Sequence, residues 1–160
     1  MDYIIRNIEP GDNPSLAKII RSSLEEFKAN KKGTVYYDES TDHLSDLFKT
    51  TGSRYFVAFA GNKVLGGAGI FPTEGLPEGM SELVKMYLLP EARGLGIGSA
   101  LINECIKFAK SIGIHTIYIE TLPELSTAVK VYEHLGFRYL DKPMGDSKHC
   151  GCSLWMIKHV

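Results

Sequence analysis

The stretch Leu88-Leu89-Pro90-Glu91-Ala92-Arg93-Gly94-Leu95-Gly96-Ile97-Gly98-Ser99 carries the residue types and spacing best suited to chemistry. It lies between a strand-like run and an amphipathic helical run. Glycines at alternate positions let the backbone turn tightly and leave N–H groups without side-chain cover. Such groups, at the positive end of a helix, make an anion site. Arg93 adds a fixed charge suited to phosphate oxygens. The loop lacks the Lys-Ser/Thr of a phosphate-binding P-loop. Its glycines also miss the third-position spacing of a dinucleotide fingerprint, and it follows an antiparallel hairpin, so a dinucleotide fold is disfavoured.

The elements that must position this loop follow from pattern. Tyr3–Ile8 reads as a strand closed by Pro10-Gly11-Asp12, and Asn13-Pro14 as the cap and first residue of a helix striped by Leu16, Ile20, Leu24 and Phe27. Ala29–Tyr37 reads as a polar loop and Ser40–Lys49 as a shorter helix. Strands at 54–60 and 63–70 flank Gly61-Asn62, a hairpin signal. Pro72–Gly79 is a loop, and with Ala29–Tyr37 a candidate lid. Glu82–Leu89 is a strand, Gly96–Ser111 a helix, Thr116–Thr121 a strand, Leu125–Leu135 a helix stopped by Gly136, and 137–140 and 153–158 the last strands. The expected architecture is α/β (α+β): a mixed, mostly antiparallel sheet of about seven strands with helices on both faces.

The 160 residues suit one domain, expected to span residues 1–160. A composition 44% hydrophobic and 23% charged is that of a soluble globular chain. A net charge of -1 and a pI near 6.5 give no reason to expect nucleic acid as a partner. No apolar run is long enough to span a membrane, and the first residues do not resemble a signal peptide. The three cysteines argue against a disulfide framework and fit a reducing compartment, so a cytoplasmic location is expected.

Two segments carry a family resemblance. Arg93-x-x-Gly96-x-Gly98 matches the R/Q-x-x-G-x-G/A pyrophosphate motif of the GNAT superfamily of acyl-CoA-dependent N-acyltransferases. Ala128-Val-Lys-Val-Tyr132-Glu-His-Leu-Gly136-Phe137 resembles that family's A-x-x-x-Y-E-x-x-G-F segment. The element order also resembles the GNAT-like fold from end to end. The resemblance implies acetyl-CoA as donor, no metal, and direct transfer to a primary amine, expected to be that of a small molecule. Homodimers occur in the family.

Residue by residue, the resemblance assigns the donor to Met86 and Leu88, whose backbone groups face the pantetheine arm, and to Arg93, Gly94, Leu95, Gly96, Ile97, Gly98 and Ser99 around the pyrophosphate. Tyr132 matches the tyrosine that protonates the departing thiolate. Glu82 matches an acidic position that serves as base or holds the substrate ammonium, and Glu120 is the second candidate. Where many relatives carry a cofactor-contacting asparagine this chain has Leu125, and Ser126 is the candidate to take over that hydrogen bond. His149, Cys150 and Cys152 lie too close together for the usual structural zinc site. Cys152 and Trp155 are expected to pack on the last strand and His149 to line the acceptor pocket, with His43 and His134 on the surface. Cys150 remains open as an acyl-carrying nucleophile. Two alternatives stand beside the amine acetyltransferase: a non-catalytic acyl-CoA sensor, and a transferase using a protein amine or a longer acyl-CoA.

Overall fold

The computed structural model describes residues 1–160. One sheet of seven strands, in the order β1-β2-β3-β4-β5-β7-β6, forms the middle layer. The strands are β1 (Ile4–Asn7), β2 (Arg54–Ala60), β3 (Lys63–Phe71), β4 (Met80–Leu88), β5 (Thr116–Thr121), β6 (Arg138–Leu140) and β7 (Leu154–His159). Every pairing is antiparallel except β4 with β5. The helices are α1 (Asn13–Glu26), α2 (Leu44–Leu47), α3 (Ile97–Ser111) and α4 (Ser126–His134).

Two apolar clusters lie on opposite faces. Under α3, Leu101, Ile102 and Cys105 meet Ala68, Ile70, Leu83 and Met86 of the sheet, joined by Tyr132 and Phe137. Under α1, Leu16, Ile20 and Leu24 meet Leu44, Phe48, Tyr55 and Val57. Burying a leucine or isoleucine fully is worth about 1.5–3 kcal/mol, so these stripes fix which face each helix covers. The predicted mixed sheet with helices on both faces is what the chain forms.

Two local readings change. The helix expected over 40–49 is a 3-10 turn at Glu39–Asp42 followed by the single turn of α2. The helix expected to be capped by Asn13 begins at that residue. The Asn13 amide is instead engaged with Ser45, donating to its hydroxyl at 2.8 Å and accepting from its N–H at 2.9 Å. Asp12, just before it, is held by Arg6 and by the Glu9 N–H. The polar residues thus tie segments together where a purely local reading assigns them to a helix cap.

The feature that positions the site is β4. It pairs with β5 only through Met80–Glu82 against Thr116–Tyr118, and beyond Glu82 the two strands part. Its pairing with β3 is interrupted: Gly67 opposes Tyr87 and Gly69 opposes Val84, so β4 carries an extra residue there. Lys85 lies in that bulge with φ 53, a left-handed value uncommon outside glycine. The bulge is braced from β2. The Tyr55 hydroxyl donates to the Lys85 carbonyl at 2.7 Å. Its ring lies against β3 so closely that a Cβ at Gly67 or Gly69 would come within 2.4 and 2.7 Å of it. The glycines of β3 therefore make room for the ring that supports the bulge.

Candidate active site

A single cleft runs along the gap between β4 and β5. Its walls include Glu82–Leu88, Glu120–Leu122, the residues Leu125, Thr127, Ala128, Val131 and Tyr132 beside and on α4, and Leu24 and Phe27 of α1. One end opens on Arg93, Gly94, Gly96, Gly98 and Ser99, and the other on His149 and Cys152.

At the first end α3 begins without a side-chain cap, its N-cap Gly96 standing at φ 81. The first helical bond there runs from the Ala100 N–H to the Gly96 carbonyl, and no N–H from Gly94 to Ser99 takes part in the turn and cap bonds. A Cβ at Gly94 or Gly96 would meet nothing within 4 Å, so these glycines face open space. The left-handed backbone, rather than crowding, requires them. Ile97 is fully buried and anchors the loop to the core, while Leu95 is exposed. The result is a row of donors at a helix N-terminus, a receptor for an anion. Arg93 stands beside it, with its guanidinium directed onto the Leu88 carbonyl at 3.0 Å, onto Glu26, and over the Phe27 ring. It ties the loop to α1 and lines the cleft while doing so.

Along the middle of the cleft the open edge of β4 is available. The Leu89 N–H bonds the Leu65 carbonyl of β3, so by strand alternation the peptide groups of Leu88 and Met86 point to the side that β5 has left. Their side chains turn into the core under α3. Tyr132 is buried in the α4 wall, its ring edge-on to Phe137 at 6.0 Å. Burial, with a smaller contribution from Cys105, pushes its hydroxyl well above the usual tyrosine range, so it stays protonated. Ser126 is exposed on the first turn of α4 and is not part of the wall; Leu125 and Thr127 are.

The far end gathers charge. Glu82 is 3% exposed, and its carboxylate accepts from the Thr73 hydroxyl at 2.6 Å. Burial pushes its pKa from 4.5 to about 7; Glu120 adds to the rise, while Thr73, His149 and Lys85 oppose it. Glu120 accepts from the Tyr118 hydroxyl at 2.6 Å and from Ser147. His149 pairs through Nε2 with Asp38 at 2.7 Å, which holds the Asp38 carboxyl below its usual range. Of the residues expected to do chemistry, Glu82, Glu120 and Tyr132 line one cleft, and His149 joins them. Cys152 lines the cleft ahead of β7 rather than packing on that strand. Burial and the neighbouring carboxylates push its thiol up to about 12, the opposite of an activated nucleophile. His43 and His134 are on the surface.

Sequence reasoning missed three participants. Asp38 sits on the loop after Val35–Tyr37, and its partner His149 is 111 residues away. Lys85 reads as an ordinary strand residue, yet is 9% exposed. The segment from Met144 to Cys152 folds over the cleft and meets the first lid: the Met144 N–H donates to the Tyr118 hydroxyl, and the Gly151 N–H to the Gly33 carbonyl. The other expected lid, 72–79, contributes the Thr73 hydroxyl and no wall of the cleft.

Comparison with known proteins agrees with this arrangement. Residues 16–137 match the acetyltransferase (GNAT) family. An uncharacterized N-acetyltransferase, YjgM of Escherichia coli, is 33% identical over 158 residues, covering 98% of this chain and 95% of its own length. Human N-acetyltransferase 8B is 32% identical over 120 residues, 70% of this chain and 52% of its own. Among solved structures, a GNAT-family acetyltransferase from Staphylococcus aureus superposes with a TM-score of 0.86 at 23% identity, covering 99% of both chains. The PaiA N-acetyltransferase of Thermoplasma acidophilum, solved with coenzyme A, gives 0.78 at 20% identity over the whole of both chains. With the family match spanning most of its length and the parted β4–β5 cleft at its centre, this chain belongs to the GNAT family of acetyltransferases.

Proposed function

We propose that the protein transfers the acetyl group of acetyl-CoA directly to the primary amine of a small-molecule acceptor bound with it in the cleft. The observation that carries this reading is the course of the cleft. One gap in the sheet joins an uncapped helix N-terminus to the buried carboxylate of Glu82 and the half-buried one of Glu120. The residues present fit the donor. Free N–H groups at 94–99 suit a pyrophosphate, and the β4 edge at Met86 and the Leu88 N–H, which β5 does not pair, suits an amide-bearing arm. Acetyl-CoA supplies a thioester carbonyl and a thiolate leaving group.

The chain's own residues supply the rest. Glu82, half-ionised near neutral pH, takes a proton from the acceptor ammonium so that a neutral amine is presented. Glu120 adds negative charge that holds the ammonium before that proton leaves. Tyr132, fully protonated, donates from its hydroxyl to the developing thiolate. The extra residue of β4 turns peptide groups into the cleft, where an N–H can stabilise charge on the carbonyl oxygen. Crossing of the two lids at Asp38–His149 and Gly33–Gly151 narrows the acceptor end, which favours a small molecule over a folded protein.

Release of thiol from acetyl-CoA against a panel of small amines, amino acids and polyamines tests this, with cofactor binding measured in parallel. Amine-dependent release is expected. Tight cofactor binding with no release for any amine would favour a sensor, and no cofactor binding would overturn the reading altogether.

A further inference from the structure

Lys85 has no part in the reaction described above, and its setting is one that a purely structural lysine does not need. Its side chain lines the cleft three positions from Glu82 and is 9% exposed. It stands on the left-handed residue of the bulge, and such non-glycine outliers cluster at functional sites. No side-chain hydrogen bond or ion pair holds its ammonium, and burial lowers its pKa against the opposing influence of Asp38 and Glu82. None of the neighbouring carboxylates forms an ion pair with it, although each accepts from another group and Glu82 and Glu120 keep acceptor sites free. Asp38 is paired with His149 at 2.7 Å, Glu82 accepts from Thr73 at 2.6 Å, and Glu120 from Tyr118 at 2.6 Å. An ammonium set this deeply in the cleft, with no protein partner, is available to an anion that enters it.

A plain amine would bring its own positive charge next to Lys85. An acceptor with a carboxylate close to its amine answers both signs of charge at once. We infer that the acceptor is an amino acid, with its carboxylate on Lys85 Nζ and its amine at Glu82 and Glu120. This rests on the reading of the cleft as an amine acetyltransferase site. Lys85 thereby sets specificity, and the bulge is what turns its side chain into the cleft beside Glu82.

The test compares matched pairs: L-leucine with 3-methylbutylamine, L-phenylalanine with 2-phenylethylamine, and L-lysine with cadaverine. kcat/KM is measured for the wild-type protein, Lys85→Met and Lys85→Arg. For at least one pair the wild type should prefer the amino acid by about 10- to 100-fold, the worth of a charge-assisted hydrogen bond. The preference should collapse towards one in Lys85→Met and return in part in Lys85→Arg. Lys85→Met should also melt higher than the wild type, because the desolvated charge is gone while the chain length is kept; this separates lost recognition from lost folding. Equal turnover of amines and their amino acids by the wild type would overturn the inference and leave the transferase reading intact. So would Lys85→Met slowing both members of a pair alike. Release with no member of any pair would overturn both.

Discussion

At the α3 end of the cleft the groups on offer are backbone amides from one contiguous stretch, 94–99, held by the fully buried Ile97 below. At the Glu82 end they are side chains from four separated places: Asp38, Glu82 with Lys85, Glu120 and His149. The first kind of site depends on glycine and on where a helix begins, and is nearly indifferent to which other side chains flank it. The second depends on burial and on charge, carried by side chains that also tie separate loops together. The two ends should therefore respond to mutation differently, the first in cofactor affinity and the second in rate.

The largest effect is expected at the carboxylate end. Glu82→Gln should lower kcat/KM by about 10²- to 10³-fold, the range for loss of a general base, with cofactor affinity unchanged in a direct binding measurement. The same variant tests the electrostatics. Because burial raises Glu82 from 4.5 to about 7, the folded state binds a proton more tightly than the unfolded chain. The resulting stability is fully present below about pH 4.5 and is lost as pH rises through 7. Thermal melts should therefore show Glu82→Gln gaining on the wild type above pH 7.

Tyr132→Phe should lower kcat by about 100-fold and leave cofactor affinity unaltered, which single-turnover and binding measurements separate. Gly96→Val attacks the other end. A β-branched residue at φ 81 costs about 1–2 kcal/mol and projects into the cradle, so cofactor affinity should fall by about 10- to 30-fold. kcat at saturating cofactor should move far less than it does in Tyr132→Phe. Ser126→Ala should change cofactor affinity by less than about twofold, because that hydroxyl faces solvent. A large loss in Ser126→Ala would mean that the α4 wall is rearranged when the donor binds.

The same contrast explains what could be read from the residues alone. The glycine-rich end was legible because its chemistry is local: alternate glycines, a preceding strand and a following amphipathic helix all lie within one short run. Glu82 and Tyr132 were legible as candidates because each matches a position in the family's segments, and Glu120 because it ends the next strand. The bulge was not. Nothing in Glu82–Leu89 marks Lys85 as left-handed, since the bulge arises from pairing with β3 and from the Tyr55 hydroxyl that braces it. The Asp38–His149 pair was hidden for a similar reason: it joins two loops whose residue types suggest only polarity. Ser126 lies outside the wall because the first turn of a helix offers several faces, and packing of Leu125 into the α1-side core leaves Ser126 exposed. The overlong second helix reflects polar residues that bond across segments instead of along one.

The most direct test of this division of labour is the pH dependence of kcat/KM for an accepted amine, measured for the wild type and Glu82→Gln with cofactor affinity followed alongside. The wild type should rise to a plateau through a midpoint near 7, and Glu82→Gln should lose that limb and most of its rate while binding cofactor normally. A variant that keeps both the limb and the rate would contradict the assignment of the base to Glu82, and with it the account of the acceptor end.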